Sequence, residues 1–156
     1  MLGDFDIFPF TAAQEAEMLL RIVAAALAGG FIGFERRRSS APAGIRTLAL
    51  VAMGSGTFTI ISIFAFSTLD GEFVRDPARI AAQVATGIGF IGAGSIIRSG
   101  TSVRGLTTAT GIWVAAALGM AAGAGLFVLT AGGTVMAMVI LALFPRGPRN
   151  ESNNQK

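Results

Sequence analysis

The sequence predicts an all-α fold: a polytopic bundle of five transmembrane helices that pack through glycine and alanine. Three observations carry this. Hydrophobic residues make up 53% of the 156 positions and charged residues 13%, about half of the usual ~25%. The apolar residues gather in runs long enough to cross a hydrocarbon core of ~30 Å. Four glycines, Gly87, Gly89, Gly92 and Gly94, lie inside one such run. In a soluble helix each would cost about 1 kcal/mol relative to alanine, whereas in lipid small residues let neighbouring backbones approach closely. In water this chain would expose too much apolar surface, so the class is integral membrane protein.

The elements follow in order. Thr11, with Gln14 three residues on as a capping-box partner, starts a helix that carries the apolar run Met18 to Phe34. The second run is Thr47 to Phe66. Asp76 and Pro77 make a helix start, a capping carboxylate followed by a residue whose missing N–H costs nothing. The third run, Ile80 to Ile97, follows and leads into a short basic loop with Arg98 and Arg104. The last stretch, Thr107 to Phe144, holds no charge, and its roughly 38 residues would reach about 57 Å as one helix at 1.5 Å per residue. Gly119, Gly123, Gly125 and the pair Gly132–Gly133 supply turn options, and the stretch is divided into spans Thr107–Ala122 and Leu126–Phe144.

Charge supports five spans. With the N-terminus outside, Arg36, Arg37, Arg38, Arg46, Arg98, Arg104, Arg146, Arg149 and Lys156 all fall in cytoplasmic segments. Only Arg75 and Arg79 fall outside, as the positive-inside rule favours. The basic isoelectric point, near 11.0, thus reflects orientation in the membrane and contact with anionic lipid, and nucleic acid is not expected as a partner. Residues 1–17 carry four acidic and no basic side chains. They lack the basic start of a signal peptide, so the first apolar segment is expected to stay as an anchor. The expected organisation is an outer N-terminal segment (1–17), a five-helix domain (18–144) and a mobile basic cytoplasmic tail (145–156).

Small residues recur at every fourth position: Ala25, Gly29 and Gly33; Ala81, Ala85, Gly89 and Ala93; Gly111, Ala115, Gly119 and Gly123. These ladders predict close helix crossings within the chain or between copies, with Gly87 and Gly94 as further packing positions. Leucine at Gly89 or at Gly119 is expected to break assembly.

Several motifs are decoys. Gly87-Ile88-Gly89-Phe90-Ile91-Gly92 spells a dinucleotide fingerprint, but it lies inside a span and no acidic residue follows before Glu151. Ser55 in Gly54-Ser55-Gly56 has no histidine to activate it, since the chain contains none. Without cysteine there is no thiol chemistry or thiolate metal site. No catalytic constellation and no cofactor are expected, and the protein is read as a non-enzyme.

Polar groups inside spans are costly and therefore informative. Arg21 lies one turn after Glu17, which predicts an ion pair. Arg79, Gln83, Thr86 and Phe90 share one face of the third span, with Asp76 at its end. This stripe either lines a water-filled cavity or bonds another helix. Glu35 lies among Arg36, Arg37, Arg38 and Arg46, which predicts an ion pair that clips the first loop to the membrane surface. Thr107, Thr108 and Thr110 open the fourth span, one turn before Trp113. Asp70, Glu72 and Asp76 offer a weak outer site for Mg²⁺, but no acidic residue lies deep in any span.

Five motifs in order resemble the N-terminal membrane domain of the MgtC/SapB family. They are Gly29-Gly30-Phe31-Ile32-Gly33-Phe34-Glu35-Arg36, Ala43-Gly44-Ile45-Arg46-Thr47, Asp76-Pro77-Ala78-Arg79-Ile80-Ala81-Ala82-Gln83-Val84, Gly87 through Gly94, and Gly105-Leu106-Thr107-Thr108-Ala109. The resemblance implies a bacterial inner-membrane protein of a virulence-associated family linked to growth in low magnesium, stress adaptation and survival inside host cells. It carries over Glu35, Arg36, Arg46, Thr47, Asp76, Arg79, Gln83, Gly87, Gly94, Thr107 and Thr108. It also implies action through the lipid bilayer on other membrane proteins, or as a homo-oligomer, in place of pumping. Many members add a soluble C-terminal domain, and a short form without it is expected here. The competing expectation is a small ion or polar-solute channel built on Asp76, Arg79, Gln83 and Thr86, with Thr107 and Thr108 across the membrane.

Overall fold

The computed structural model describes residues 10–38, 41–65, 76 and 78–144. Expectations for the first nine residues, for Asp70, Glu72 and Arg75, and for the tail from 145 onward lie outside them.

Among the described residues five α-helices form, of unequal length. Helix α1 runs Ala12–Arg38. Its start is the expected capping box: the Thr11 N–H donates to Gln14 Oε1 at 2.9 Å and the Gln14 N–H to Thr11 Oγ1 at 3.4 Å. Helix α2, Ile45–Ile60, continues into a π-helical turn, Ile61–Ala65. Helix α3, Ala78–Gly94, is capped by Asp76, whose Oδ1 accepts the Ala78 N–H at 2.9 Å. Helices α4, Leu106–Gly123, and α5, Phe127–Leu143, follow. Helices α1, α2 with its π turn, and α4 are long and apolar enough to cross a membrane; α5 is apolar and shorter.

The third helix was expected to reach Ile97 and stops at Gly94. The Ser95 hydroxyl and N–H both donate to the Gly92 carbonyl, at 2.7 and 3.0 Å, and close the last turn. The expected basic loop is a β-hairpin. Strand β1, Ile97–Ser99, pairs antiparallel with β2, Ser102–Arg104, with Arg98 opposite Val103. Ile97 begins a strand in place of ending a helix.

The division of the last apolar stretch falls where expected. Gly125 adopts φ +80. Its N–H donates to the Ala122 carbonyl and the Leu126 N–H to Ala121, both at 2.9 Å, so α4 ends in a Schellman motif. Gly125→Ala is expected to cost about 1–2 kcal/mol for the left-handed backbone alone. The added methyl would also lie 3.1 Å from the Arg21 guanidinium carbon. A lowered thermal unfolding midpoint in detergent would register it.

The packing is centred on α2. Helix α1 crosses it antiparallel through Gly29, where a methyl would stand 2.7 Å from the Leu48 carbonyl carbon, and through Gly33, 2.5 Å from the Ile45 Cα. Helix α4 lies parallel to α2 on another side. There a methyl at Gly119 would stand 2.7 Å from the Ala52 Cα, and one at Gly123 2.9 Å from the Gly56 Cα. Between these contacts lie the buried side chains of Ile32, Leu48, Ile112, Ala115 and Leu118. Helix α3 rests mainly on α4 and buries only Ile88 and Gly92, while α5 turns Thr130 and Thr134 inward, their hydroxyls returned to carbonyls one turn back. α2 and α4 are thus direct neighbours although α3 separates them in sequence.

Candidate functional site

At the end of the bundle where α1 finishes, the first turns of α2 and α4 and the β-hairpin bring Arg36, Arg37, Arg46, Arg98 and Arg104 to one side of the molecule. Four of these five are exposed. Arg36 is the exception, at 3% exposure. It lies on the same helical face as Ala25, Gly29, Ile32 and Gly33, so the packing geometry of α1 carries it inward. Its Nη2 donates to Thr108 Oγ1 at 3.2 Å, across 72 positions of sequence. Thr108, in the first turn of α4, is 1% exposed. The last turn of α1 suits the charge, because the negative end of a helix dipole favours a cation. Glu35 is half-buried beside it, while Thr47 and Thr107 are exposed.

At the opposite end Arg21 forms the expected ion pair with Glu17. It does more than the sequence indicated. Nη1 donates to the Gly123 carbonyl at 3.0 Å, capping α4, and the guanidinium carbon lies 5.2 Å from the centroid of the Phe64 ring in the π-helical turn. One side chain of α1 therefore ties down the ends of α2 and α4.

The polar stripe lies elsewhere. Asp76, Arg79 and Thr86 occupy the face of α3 turned away from the bundle, Gln83 stands at its edge where the α2–α3 cleft opens, and all four are exposed. The Thr86 hydroxyl is returned to the Ala82 carbonyl at 3.0 Å. The Arg79 and Gln83 side chains have no hydrogen-bond partner among the described residues. The structure thus separates the six residues of the expected pathway: Thr108 is buried with Arg36, and the α3 residues face outward. The small-residue positions also divide. Gly29, Gly33 and Gly119 press on backbone, whereas Gly87, Gly89, Gly94 and Gly111 would have nothing within 4 Å of an added methyl.

Between α2 and α3 runs a cleft of about 660 Å³ with walls formed by Leu50, Phe58, Ile80, Val84 and Ile91. Two polar side chains reach it, Gln83 and Ser55. Ser55 is 3% exposed, and its hydroxyl makes no hydrogen bond among the described residues. Among the described residues, no group of three or more His, Cys, Asp or Glu side chains converges on a point.

The long apolar helices and the glycine-to-backbone crossings define a polytopic α-helical membrane protein. The chain belongs to the MgtC family, whose profile matches residues 22–149. It is 47% identical over 131 residues to YhiD of Escherichia coli K12, named as a candidate magnesium transporter; the match covers 83% of this chain and 61% of YhiD. It is 45% identical over 122 residues to Protein MgtC of Brucella abortus, covering 78% of this chain and 49% of that protein. Protein SapB of Bacillus subtilis is 38% identical over 86 residues, which cover 54% of this chain and 37% of SapB. The chain thus spans about half to three fifths of the length of the first two. No solved structure matches it.

Proposed function

We propose that this chain is a non-enzymatic factor in magnesium homeostasis and stress adaptation in the bacterial inner membrane, acting by helix–helix contact with another membrane protein, with a second copy, or with both. One observation carries the reading: the polar face of α3 points out of the bundle, and among the described residues Arg79 and Gln83 have no side-chain hydrogen-bond partner. Polar groups facing hydrocarbon are costly, and a neighbouring helix that bonds them removes the cost. Membership of the MgtC family and the names of the relatives support the link to magnesium. By the positive-inside rule the end that bears Arg36, Arg46, Arg98 and Arg104 is cytoplasmic, with the N-terminus outside.

A second reading, transport of an ion or polar solute, is favoured by Ser55 and Gln83 in the α2–α3 cleft and by the name given to YhiD. Flux in proteoliposomes separates the two, with Mg²⁺, K⁺ and H⁺ tested beside an Arg79→Ala/Gln83→Ala variant. The contact reading expects no saturable flux from folded protein, and adducts when α3 is crosslinked in native membranes. Saturable flux that the double variant loses would overturn it in favour of transport.

A further inference from the structure

The outward face of α3 has a more specific pattern than a generic contact surface. Arg79, Gln83, Thr86, Phe90 and Ala93 succeed one another at steps of four, three, four and three, the spacing of a coiled-coil seam. All five are exposed, Phe90 at 84%. Gly87 and Gly94 flank Phe90 about one turn away on either side and leave hollows, with no atom within 4 Å of an added methyl. Four glycines of α1 and α4 differ: Gly29, Gly33, Gly119 and Gly123 are already met by backbone of α2 or the residue before it.

We propose that this seam pairs with the same seam of a second copy, two α3 helices lying parallel about a two-fold axis along the membrane normal, with Gln83 bonded to Gln83 across the axis. The proposal rests on the contact reading above and names the partner. A two-fold axis sets each residue opposite its own counterpart. Few polar side chains tolerate that, and glutamine does, because its amide both donates and accepts. A single polar group at such a position also fixes register. Phe90 of each copy meets its counterpart across the axis, and the hollows at Gly87 and Gly94 on either side leave room for the two rings. Arg79 would face a like charge, but Asp76, exposed one turn earlier, gives each guanidinium a carboxylate across the axis. Each of these needs is met by a group on the same seam, which favours a second copy over a different protein.

The chain has no cysteine, so single-cysteine variants report cleanly. Thr86→Cys and Ala93→Cys, oxidised in native membranes, are expected to give a covalent species of twice the chain mass. Val128→Cys, 90% exposed on α5, is expected to stay monomeric. Adding Gln83→Leu to Ala93→Cys is expected to lower the dimer about fivefold, the effect of one interhelical hydrogen bond in a membrane, while Gln83→Asn retains most of it. Helix content by circular dichroism checks that each variant is folded. Equal dimer from Val128→Cys, or no dimer from either seam position in folded protein, would overturn the pairing. Seam adducts with a different protein would overturn the pairing and leave the contact reading standing. Absence of any adduct together with saturable flux would overturn both.

Discussion

Leucine at Gly119 is expected to prevent formation of the bundle, whereas leucine at Gly89 is expected to leave it folded. At position 119 even the first side-chain carbon would lie 2.7 Å from both the carbonyl carbon and the Cα of Ala52. These are backbone atoms in the middle of α2, so no rotamer change relieves the clash and the helices must separate. Separation also pulls Gly123 off Gly56 one turn further along. The penalty belongs at the top of the overpacking range, about 3 kcal/mol or more, against a total stability of ~5–15 kcal/mol for an average domain. At Gly89 there is open space, so the equal effect expected of the two positions from sequence becomes a contrast. Yield of monodisperse protein in detergent and the unfolding midpoint of each variant measure it. A wild-type midpoint for Gly119→Leu would mean that α2 and α4 do not cross where the structure places them.

Thr108→Val should be nearly as damaging in its own way. The change keeps the shape and removes one hydrogen-bond acceptor of the Arg36 guanidinium. A buried hydrogen bond to a charged group contributes about 1.5–3 kcal/mol, and Arg36 is 3% exposed, so water does not replace the lost acceptor. Thr108→Ser, which keeps the hydroxyl, is expected to recover most of the loss. A double-mutant cycle with Arg36→Ala isolates the pair, because contacting residues couple by ~0.5–3 kcal/mol. Additive losses would show that Arg36 and Thr108 do not interact. Thr107→Val is the control, since Thr107 is exposed one position earlier.

Features written in local chemistry were legible in the sequence. The Thr11–Gln14 box, the Asp76 cap and the glycine-bearing break between α4 and α5 each depend on residues within one turn. The direction of Arg36 was not legible by the same means. Three consecutive arginines read as a surface signal, and which one turns inward depends on α4, 72 positions away. A signal was present nonetheless: the ladder Ala25, Gly29, Gly33 extends by one further step of three to Arg36. Thr108 likewise stands three residues before Gly111 on the small-residue face of α4. The hairpin was missed because Ile96 and Ile97 continue an apolar run that reads as helix. Only Gly100, between short segments rich in β-branched residues, hinted at a turn. For α3, small residues occur on every face, so periodicity alone does not tell which side looks inward.

The direct packing of α2 on α4, past the intervening α3, has a consequence for biogenesis. Chains emerge from the ribosome in order, and Gly123 is added about 67 residues after Gly56, roughly 3–13 s later at ~5–20 residues per second. For that interval the Ala52–Gly56 stretch of α2 has α1 beside it but not the helix that completes its groove. The nascent chain must hold this narrow surface free of lipid-facing competitors while α3 and the hairpin are made. The ribosome and the insertion machinery, more than the speed of helix formation, therefore set when this protein finishes folding.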